Sequence, residues 1–241
     1  MTLERFGLTG SHYGFSACRI SDLAATEYTL VTIAADASPS VEPFRADIER
    51  CIAAIVRACR QSPRADNLLL RVLSFSDDVK EVHGLKPLSG CPAGDYDGCL
   101  PRGGGTALAD ATLNGVTALV DYGKHLADAG FGVNGILFVI TDGEDNASRT
   151  KPADVKAALD GARQAEALEA LTTVLIGVNV GDARIAGYLK AFQGDAGLGR
   201  YVELERADAD MLARLADFVG RSICAQSLAL GSGRASPSLS F

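Results

Sequence analysis

The stretch YTLVTIAADASPS, residues 28–40, decides the fold of this chain. Its first part, 28–35, is rich in β-branched and large apolar residues and shows little alternation of polar and apolar positions. A strand of this kind is typical of a parallel sheet that is covered on both faces. Apolar residues then recur from Val41 to Cys59 with a helical period, which predicts a helix directly after the strand.

The alternation of buried strand and amphipathic helix continues along the rest of the chain. We therefore expect an α/β fold, with a doubly wound, mostly parallel central sheet and helices on both faces, of the Rossmann-like kind. Val79–Leu85 is expected to add one antiparallel edge strand, and Arg200–Leu204 a last outer strand. The remaining predicted elements are strands at 67–75, 135–141 and 171–178, and helices at 108–126, 155–165 and 211–223.

Length and composition favour a single domain. The chain has 241 residues, of which 47% are hydrophobic, a size common for one α/β domain. We expect an N-terminal extension at 1–27, one domain at 28–225 and a flexible Ser/Gly-rich tail at 226–241. The serines of the tail could be phosphorylated, or Leu239 and Phe241 could dock on a partner, but its composition favours a disordered end.

Charge and hydropathy exclude several classes of partner. The formal net charge is -7, so phosphate backbones are repelled and nucleic acid is not an expected partner. No apolar run reaches the length of a membrane-spanning helix, and the first residues lack the apolar centre of a secretory signal. We expect a cytoplasmic protein that contacts no membrane.

Polar side chains follow the predicted strands at the edge of the sheet where open α/β folds bind ligands. The three segments are DASPS at 36–40, GGGTAL at 103–108 and TDGEDN at 141–146. Two carboxylates and three hydroxyls from these segments make up a set of oxygen ligands that Mg²⁺ prefers and Mn²⁺ accepts. The predicted metal ligands are Asp36, Ser38, Ser40, Thr106 and Asp142.

The charge of this set indicates binding rather than catalysis. Asp36 and Asp142 together only balance the charge of a divalent cation, so the bound ion remains electrophilic. A carboxylate from a partner protein could then complete the shell of ligands. Ser40 could in addition cap a helix that begins near Val41, and the glycine run at 103–105 would let the backbone that carries Thr106 approach closely and change conformation.

DASPS, GGGTAL and TDGEDN, in this order and on these elements, resemble the von Willebrand factor A domain with its metal-ion-dependent adhesion site, over about residues 28–225. That site combines a DxSxS motif with a distant Thr and a distant Asp, so the resemblance implies the same five residues as ligands. It implies Mg²⁺, with Mn²⁺ or Ca²⁺ as alternatives. The chain is most similar to the small bacterial cytoplasmic tellurium-resistance-type proteins of this family, which implies an adaptor that works with kinases, phosphatases or AAA+ ATPases.

These residues also allow other interpretations. Asp36 could be a turn residue, Glu144 and Asp145 fit a solvated acidic loop, and the domain could be a structural subunit of a larger assembly. A metal phosphotransferase with Asp36 as nucleophile is disfavoured, because Ser38 stands where such enzymes place a second Asp and no Lys is near the other loops. We therefore expect no enzyme.

The cysteines and histidines do not form a metal motif. Six cysteines are scattered without a CxxC pair, and none of the three histidines has zinc-like spacing to a cysteine. Cys51 and Cys59 fall on the apolar face of the first helix and are interpreted as small core residues. Cys91 and Cys99 lie in an unusual loop, GCPAGDYDGCLP at 90–101, that could alter access to the metal. They could pair in an oxidising compartment, and pairing is disfavoured in the cytoplasm.

Overall fold

A computed structural model describes residues 2–8, 13–165, 167–230 and 232. Its centre is an eight-stranded sheet with the order β1-β2-β5-β4-β3-β6-β7-β8. The strands are β1 (Leu3–Phe6), β2 (Phe15–Cys18), β3 (Glu27–Asp36), β4 (Leu68–Phe75), β5 (Val79–Pro87), β6 (Gly132–Thr141), β7 (Ala170–Val178) and β8 (Arg200–Leu204). The α-helices are α1 (Arg45–Arg60), α2 (Leu108–Asp128), α3 (Pro152–Ala165), α4 (Ala183–Asp195) and α5 (Ala209–Leu230).

The predicted fold class is confirmed. Strands β4, β3, β6, β7 and β8 pair in parallel, and each of β3, β4 and β6 is buried almost throughout. Helices α1 and α5 cover one face of the sheet, and α2, α3 and α4 cover the other, each over its own apolar cluster. Because both faces are covered, the central strands are apolar on both sides, which is the pattern that the sequence shows.

The edge of the sheet differs from the expectation. Strand β5 is antiparallel to β4, as predicted, but β2 and β1 continue the sheet beyond it. Both strands lie in the segment predicted as an N-terminal extension, and Phe15, Ala17 and Cys18 of β2 are buried in the core beneath α2. The two strands have four residues each, too few for a clear sequence pattern.

The last helix also extends further than expected. Helix α5 continues to Leu230, beyond the predicted helix end at 223 and the predicted domain end at 225, and Gln226, Ser227 and Ala229 are buried. Of the remaining tail serines, Ser232 is described, and its hydroxyl donates to the Ala229 carbonyl at 3.0 Å. Residues 233–241, with Leu239 and Phe241, lie outside the described residues. In the part of the chain that the structure describes, no helix is long and apolar enough to cross a membrane.

A buried arginine ties the edge strands to the centre. Arg71, in the middle of β4, is fully buried and donates from Nε to Glu81 of β5 at 2.6 Å and from Nη2 to Asn114 of α2 at 2.7 Å. The Glu81 carboxylate also accepts from the backbone N–H of Ser16 at 3.0 Å and from the Ser16 hydroxyl at 2.7 Å. One ion pair thus links β4, β5, β2 and α2.

Candidate metal centre

The first loop of the site begins where β3 ends. Asp36 is the last residue of that strand, and its Oδ1 accepts the backbone N–H of Ser38 at 2.8 Å. Its Oδ2 accepts the Thr141 hydroxyl at 2.6 Å, from the end of the neighbouring strand β6. Both oxygens of the carboxylate are therefore fixed by neutral donors, and Asp36 is fully buried.

Ser40 connects this loop to the loop after β6. The Ser38 and Ser40 hydroxyl oxygens lie 3.0 Å apart, and the Ser40 hydroxyl donates to Asp142 Oδ1 at 2.7 Å. The expectation that Ser40 caps a helix near Val41 is wrong: Pro39–Phe44 form a 3-10 turn, and α1 begins at Arg45. The Ser40 hydroxyl is engaged with a carboxylate of another loop, and the residue is exposed to solvent.

Thr106 reaches the same place from the glycine-rich loop. A Cβ built on Gly143 would lie 3.9 Å from Ser40 Oγ and 4.0 Å from Thr106 Oγ1, so both hydroxyls border one small space beside Gly143. The backbone N–H of Thr106 donates to Asn146 Oδ1 at 2.8 Å, and its carbonyl accepts the N–H of Asn146 at 3.0 Å. The structure thus brings together all five residues that the sequence singled out.

The glycines before Thr106 allow its loop to pack this closely. A Cβ on Gly103 would lie 2.0 Å from Ser76 Cβ, and a Cβ on Gly104 would lie 2.7 Å from Asp77 Oδ2. The N–H of Gly104 donates to that same carboxylate oxygen at 2.7 Å. Close approach of the backbone is therefore the observed role of these glycines.

The two carboxylates of the site have no basic partner. Asp36 and Asp142 are 0% and 6% exposed, and no Lys, Arg or His in the described ranges forms an ion pair with either. Burial raises the pKa of Asp36 to about 6, against hydrogen bonds from Ser38 and Thr141 that lower it, and the nearby Asp142 raises it further. Burial also raises the pKa of Asp142. The site concentrates negative charge that a cation would neutralise.

The chemistry of these groups fits a hard divalent cation. The donors are two carboxylates and three hydroxyls, and oxygen ligands of this kind suit Mg²⁺, Mn²⁺ and Ca²⁺ better than soft metals. Among the described residues, no group of three or more His, Cys, Asp or Glu is arranged to hold a metal. The hydroxyls would therefore have to provide the other protein ligands.

Three neighbouring residues shape the site without having been predicted for it. Thr141 holds Asp36, and Asn146 holds the backbone of Thr106. Asp145 is not simply part of a solvated loop: its Oδ2 accepts the N–H of Ala109 in the first turn of α2 at 2.7 Å, and its Oδ1 accepts the N–H of Ser148 at 3.0 Å. These roles depend on contacts between loops that are distant in sequence. The one sequence signal for the three residues is their position close to Asp142.

The unusual loop at 90–101 is anchored against α1. The Glu49 carboxylate accepts the N–H groups of Gly98 at 3.0 Å and Leu100 at 2.9 Å. Cys91 is buried, Cys99 is partly exposed, and both are free thiols in the structure. Pro39, Glu42, Arg45, Arg102 and Gly103 line a cleft of about 360 Å³ where this loop runs into the glycine-rich loop.

Comparison with solved structures identifies the type of fold. The pilus adhesin SpaC from Lactobacillus rhamnosus GG superposes with a TM-score of 0.62 at 11% identity, over 85% of this chain and 31% of that one. The minor pilin PilB from Streptococcus sanguinis superposes with a TM-score of 0.59 at 12% identity, over 84% of this chain and 62% of that one. Proximal thread matrix protein 1 from the mussel byssus superposes with a TM-score of 0.54 at 18% identity, over 83% of this chain and 46% of that one. In that structure a metal-ion-dependent adhesion site motif is occupied by zinc.

The chain has a von Willebrand factor A-type fold. No protein-family model and no curated protein matches its sequence. This chain covers less than two thirds of the length of each of these three proteins. At such identities the likeness shows the fold alone, so the function has to be argued from the site.

Proposed function

We propose that Asp36, Ser38, Ser40, Thr106 and Asp142 bind one divalent cation, and that the cation binds a carboxylate of a partner protein. The observation that carries this proposal is the pair of buried carboxylates that lack a basic partner among the described residues. Asp36 accepts the backbone N–H of Ser38, and Asp142 accepts the Ser40 hydroxyl, whose oxygen lies 3.0 Å from that of Ser38. An uncompensated buried charge is costly, and a bound cation removes that cost. The zinc recorded in the corresponding motif of the byssus protein supports a metal at this place.

The exposure of the site supports a partner that comes from solvent. Ser40 is exposed, while the carboxylates behind it are buried, so a bound ion would face outwards on one side. Mg²⁺ keeps exchangeable waters when few protein carboxylates hold it, and an incoming Asp or Glu can replace one of them. We expect Mg²⁺ in the cell, with Mn²⁺ or Ca²⁺ as alternatives.

The surface beside the site favours an acidic partner. Arg45 and Arg102 line the neighbouring cleft and share one acidic partner, Glu42, so this rim carries a net positive charge. The Arg102 side chain is 83% exposed and could reach a second acidic group of a bound protein. Complementary charge of this kind accelerates association and selects among partners.

Calorimetric titration tests the cation site. Mg²⁺ and Mn²⁺ are expected to bind to the wild-type protein with one site, and Asp36→Ala is expected to weaken binding on the order of 100-fold, since half of the protein's countercharge is lost. Glu144→Gln is the matched control, because Glu144 lies in the same acidic segment as Asp142 but pairs with Arg184. Equal binding to wild type and Asp36→Ala would place the cation elsewhere.

Partner capture tests the second half of the proposal. Proteins retained from cell extract by the wild type in Mg²⁺ are expected to be released by chelator and to be absent with Ser38→Ala. Retention that survives both changes would show that the cation is not the contact. The resemblance suggests kinases, phosphatases or AAA+ ATPases as the first cytoplasmic candidates, and tellurium-resistance-type proteins as the nearest functional model.

A structural subunit is the second candidate, because the similar structures include a minor pilin and a byssus matrix protein. The same surface would then pack against other subunits. Light scattering over a concentration series distinguishes the two candidates: a mass that rises with concentration supports the subunit, and a constant monomer mass supports the adaptor. Neither candidate requires catalysis, and we expect no phosphate transfer from a small phosphodonor to Asp36.

A further inference from the structure

Helices α1 and α5 lie side by side at very close range. A Cβ built on Gly220 of α5 would be only 3.1 Å from the Cβ of Ala58 in α1. Just beyond α1, Arg64 donates from Nε to the Ser227 hydroxyl of α5 at 3.4 Å. The absence of a side chain at Gly220 allows the two helices to pack this tightly, and their C-terminal halves run together.

Two cysteines face each other beside this contact. Cys59 follows Ala58, and Cys224 lies one helical turn after Gly220, on the same face of α5. Their side chains are close enough for each thiol to shift the pKa of the other, and Ser62 is close enough to Cys224 to lower its pKa. Cys59 is 3% exposed, whereas Cys224 is partly open to solvent. The pair therefore joins a partly exposed cysteine to a buried one.

The contact between the two cysteines shifts the pKa values of their thiols in opposite directions. The hydrogen bond from Cys59, together with one from Ser62, lowers the pKa of Cys224 to about 6 against the effect of burial. The same contact and burial raise the pKa of Cys59. Burial raises the pKa of Cys51 and Cys99 to about 12, and it raises the pKa of Cys18 and Cys91 as well. Of the six cysteines, Cys224 alone has a lowered pKa, which favours its thiolate, the reactive form of a cysteine.

We propose that Cys59 and Cys224 form an oxidation site at which a hydroperoxide converts the two thiols into a disulfide between α1 and α5. The Cys224 thiolate attacks one peroxide oxygen; the O–O bond breaks, Cys224 becomes a sulfenic acid, and hydroxide (or alkoxide) leaves. Cys59 loses its proton to that base and attacks the sulfenic sulfur, which forms the S–S bond and expels hydroxide. The two sulfurs together lose two electrons, which the peroxide gains.

The disulfide would join the helix that follows the DASPS loop to the last helix of the fold. It closes a long loop of chain, and such a cross-link stabilises mainly by restricting the unfolded state. This inference is independent of the metal site, because neither cysteine belongs to the five predicted ligands or to the loops that carry them.

Peptide mapping after oxidation tests the inference on the intact chain. The reduced protein is treated with hydrogen peroxide at about one equivalent, alkylated and digested with trypsin. We expect residues 58–60 and 222–234 to appear as one linked peptide that lacks two hydrogens, and two of the six thiols to be lost. The melting temperature is expected to rise by roughly 5–10 °C and to fall back on reduction.

Three variants test the roles of the individual cysteines. Cys224→Ala is expected to abolish fast thiol loss, and Cys59→Ala is expected to leave a sulfenic acid at Cys224 that dimedone traps. Cys99→Ser is the control and keeps the linked peptide, since Cys99 is partly exposed but its pKa is raised. The inference is overturned if peptide 222–234 from the oxidised wild type is unlinked, or is joined to Cys91, Cys99 or a second copy of the chain.

Discussion

Saturating Mg²⁺ is expected to raise the melting temperature of this protein by roughly 5–10 °C, and Asp36→Asn is expected to remove that rise. A ligand that binds only the folded state at about 100 times its dissociation constant adds about 2.7 kcal/mol to the free energy of unfolding. Asp36 supplies one of two carboxylates in the site, and an amide cannot replace its charge. Thermal unfolding monitored by circular dichroism, in Mg²⁺ and in chelator, measures both effects.

In chelator the same variant is expected to melt no lower than the wild type. The wild-type carboxylate is fully buried without a basic partner, which is unfavourable when no cation is bound. The oxygen of the introduced amide can still accept the N–H of Ser38, and its NH₂ group can donate to Thr141 Oγ1, which then accepts instead of donating. The opposite signs in Mg²⁺ and in chelator separate loss of a ligand from general damage to the fold.

Glu144→Gln serves as the control, because it removes one negative charge from the loop of Asp142 and leaves the predicted ligands unchanged. It should keep the full Mg²⁺ shift. The proposed site is wrong if Mg²⁺ stabilises wild type and Asp36→Asn equally, or if neither responds to Mg²⁺, Mn²⁺ or Ca²⁺.

Glu81→Ala is expected to lower the free energy of unfolding by about 3–5 kcal/mol, the largest loss we expect from a change outside the site. The substitution leaves the fully buried Arg71 guanidinium without its carboxylate and deprives Ser16 of two hydrogen bonds. A buried charge without a partner is more costly than the pair is stabilising. Urea unfolding should show the lower midpoint, and β2 should exchange its amide hydrogens faster.

A double variant and a control variant test whether the loss comes from the unpaired buried charge. Arg71→Met combined with Glu81→Leu should recover most of the loss, because both charges are removed and, among the described residues, Arg71 Nη1 has no hydrogen-bond partner even in the wild type. Asp128→Ala breaks the exposed pair with Lys124 and should change stability by less than about 0.5 kcal/mol. A Glu81→Ala protein as stable as Asp128→Ala would contradict the role of the buried pair.

Much of the fold could be predicted because strand burial leaves a direct pattern in the sequence. The run at 28–35 became the centre of the sheet, and the three polar segments became neighbouring loops, since parallel strands end at the same edge. The convergence of Ser40, Thr106 and Asp142 follows from that topology. Whether they bind a cation stays a prediction, because hydrogen bonds among ligands show proximity and not occupancy.

The features that could not be predicted depend on contacts between distant segments. Arg71 is a single charge inside an apolar strand, and its partners come from β5 and α2. Cys59 was correctly placed on the buried face of α1, but its contact with Cys224 requires knowing how α1 and α5 cross. Periodicity reports which side of an element is buried and does not report what lies against it.

The two short N-terminal strands have a practical consequence for shortened versions of the protein. A fragment begun at residue 28, where the sequence pattern suggests the domain starts, would lack β1 and β2. The outer edge of the nine-residue strand β5 would then be uncovered, with its backbone groups free to pair with another molecule. Uncovered edges of this kind promote aggregation, so expression fragments should retain the residues that precede β3.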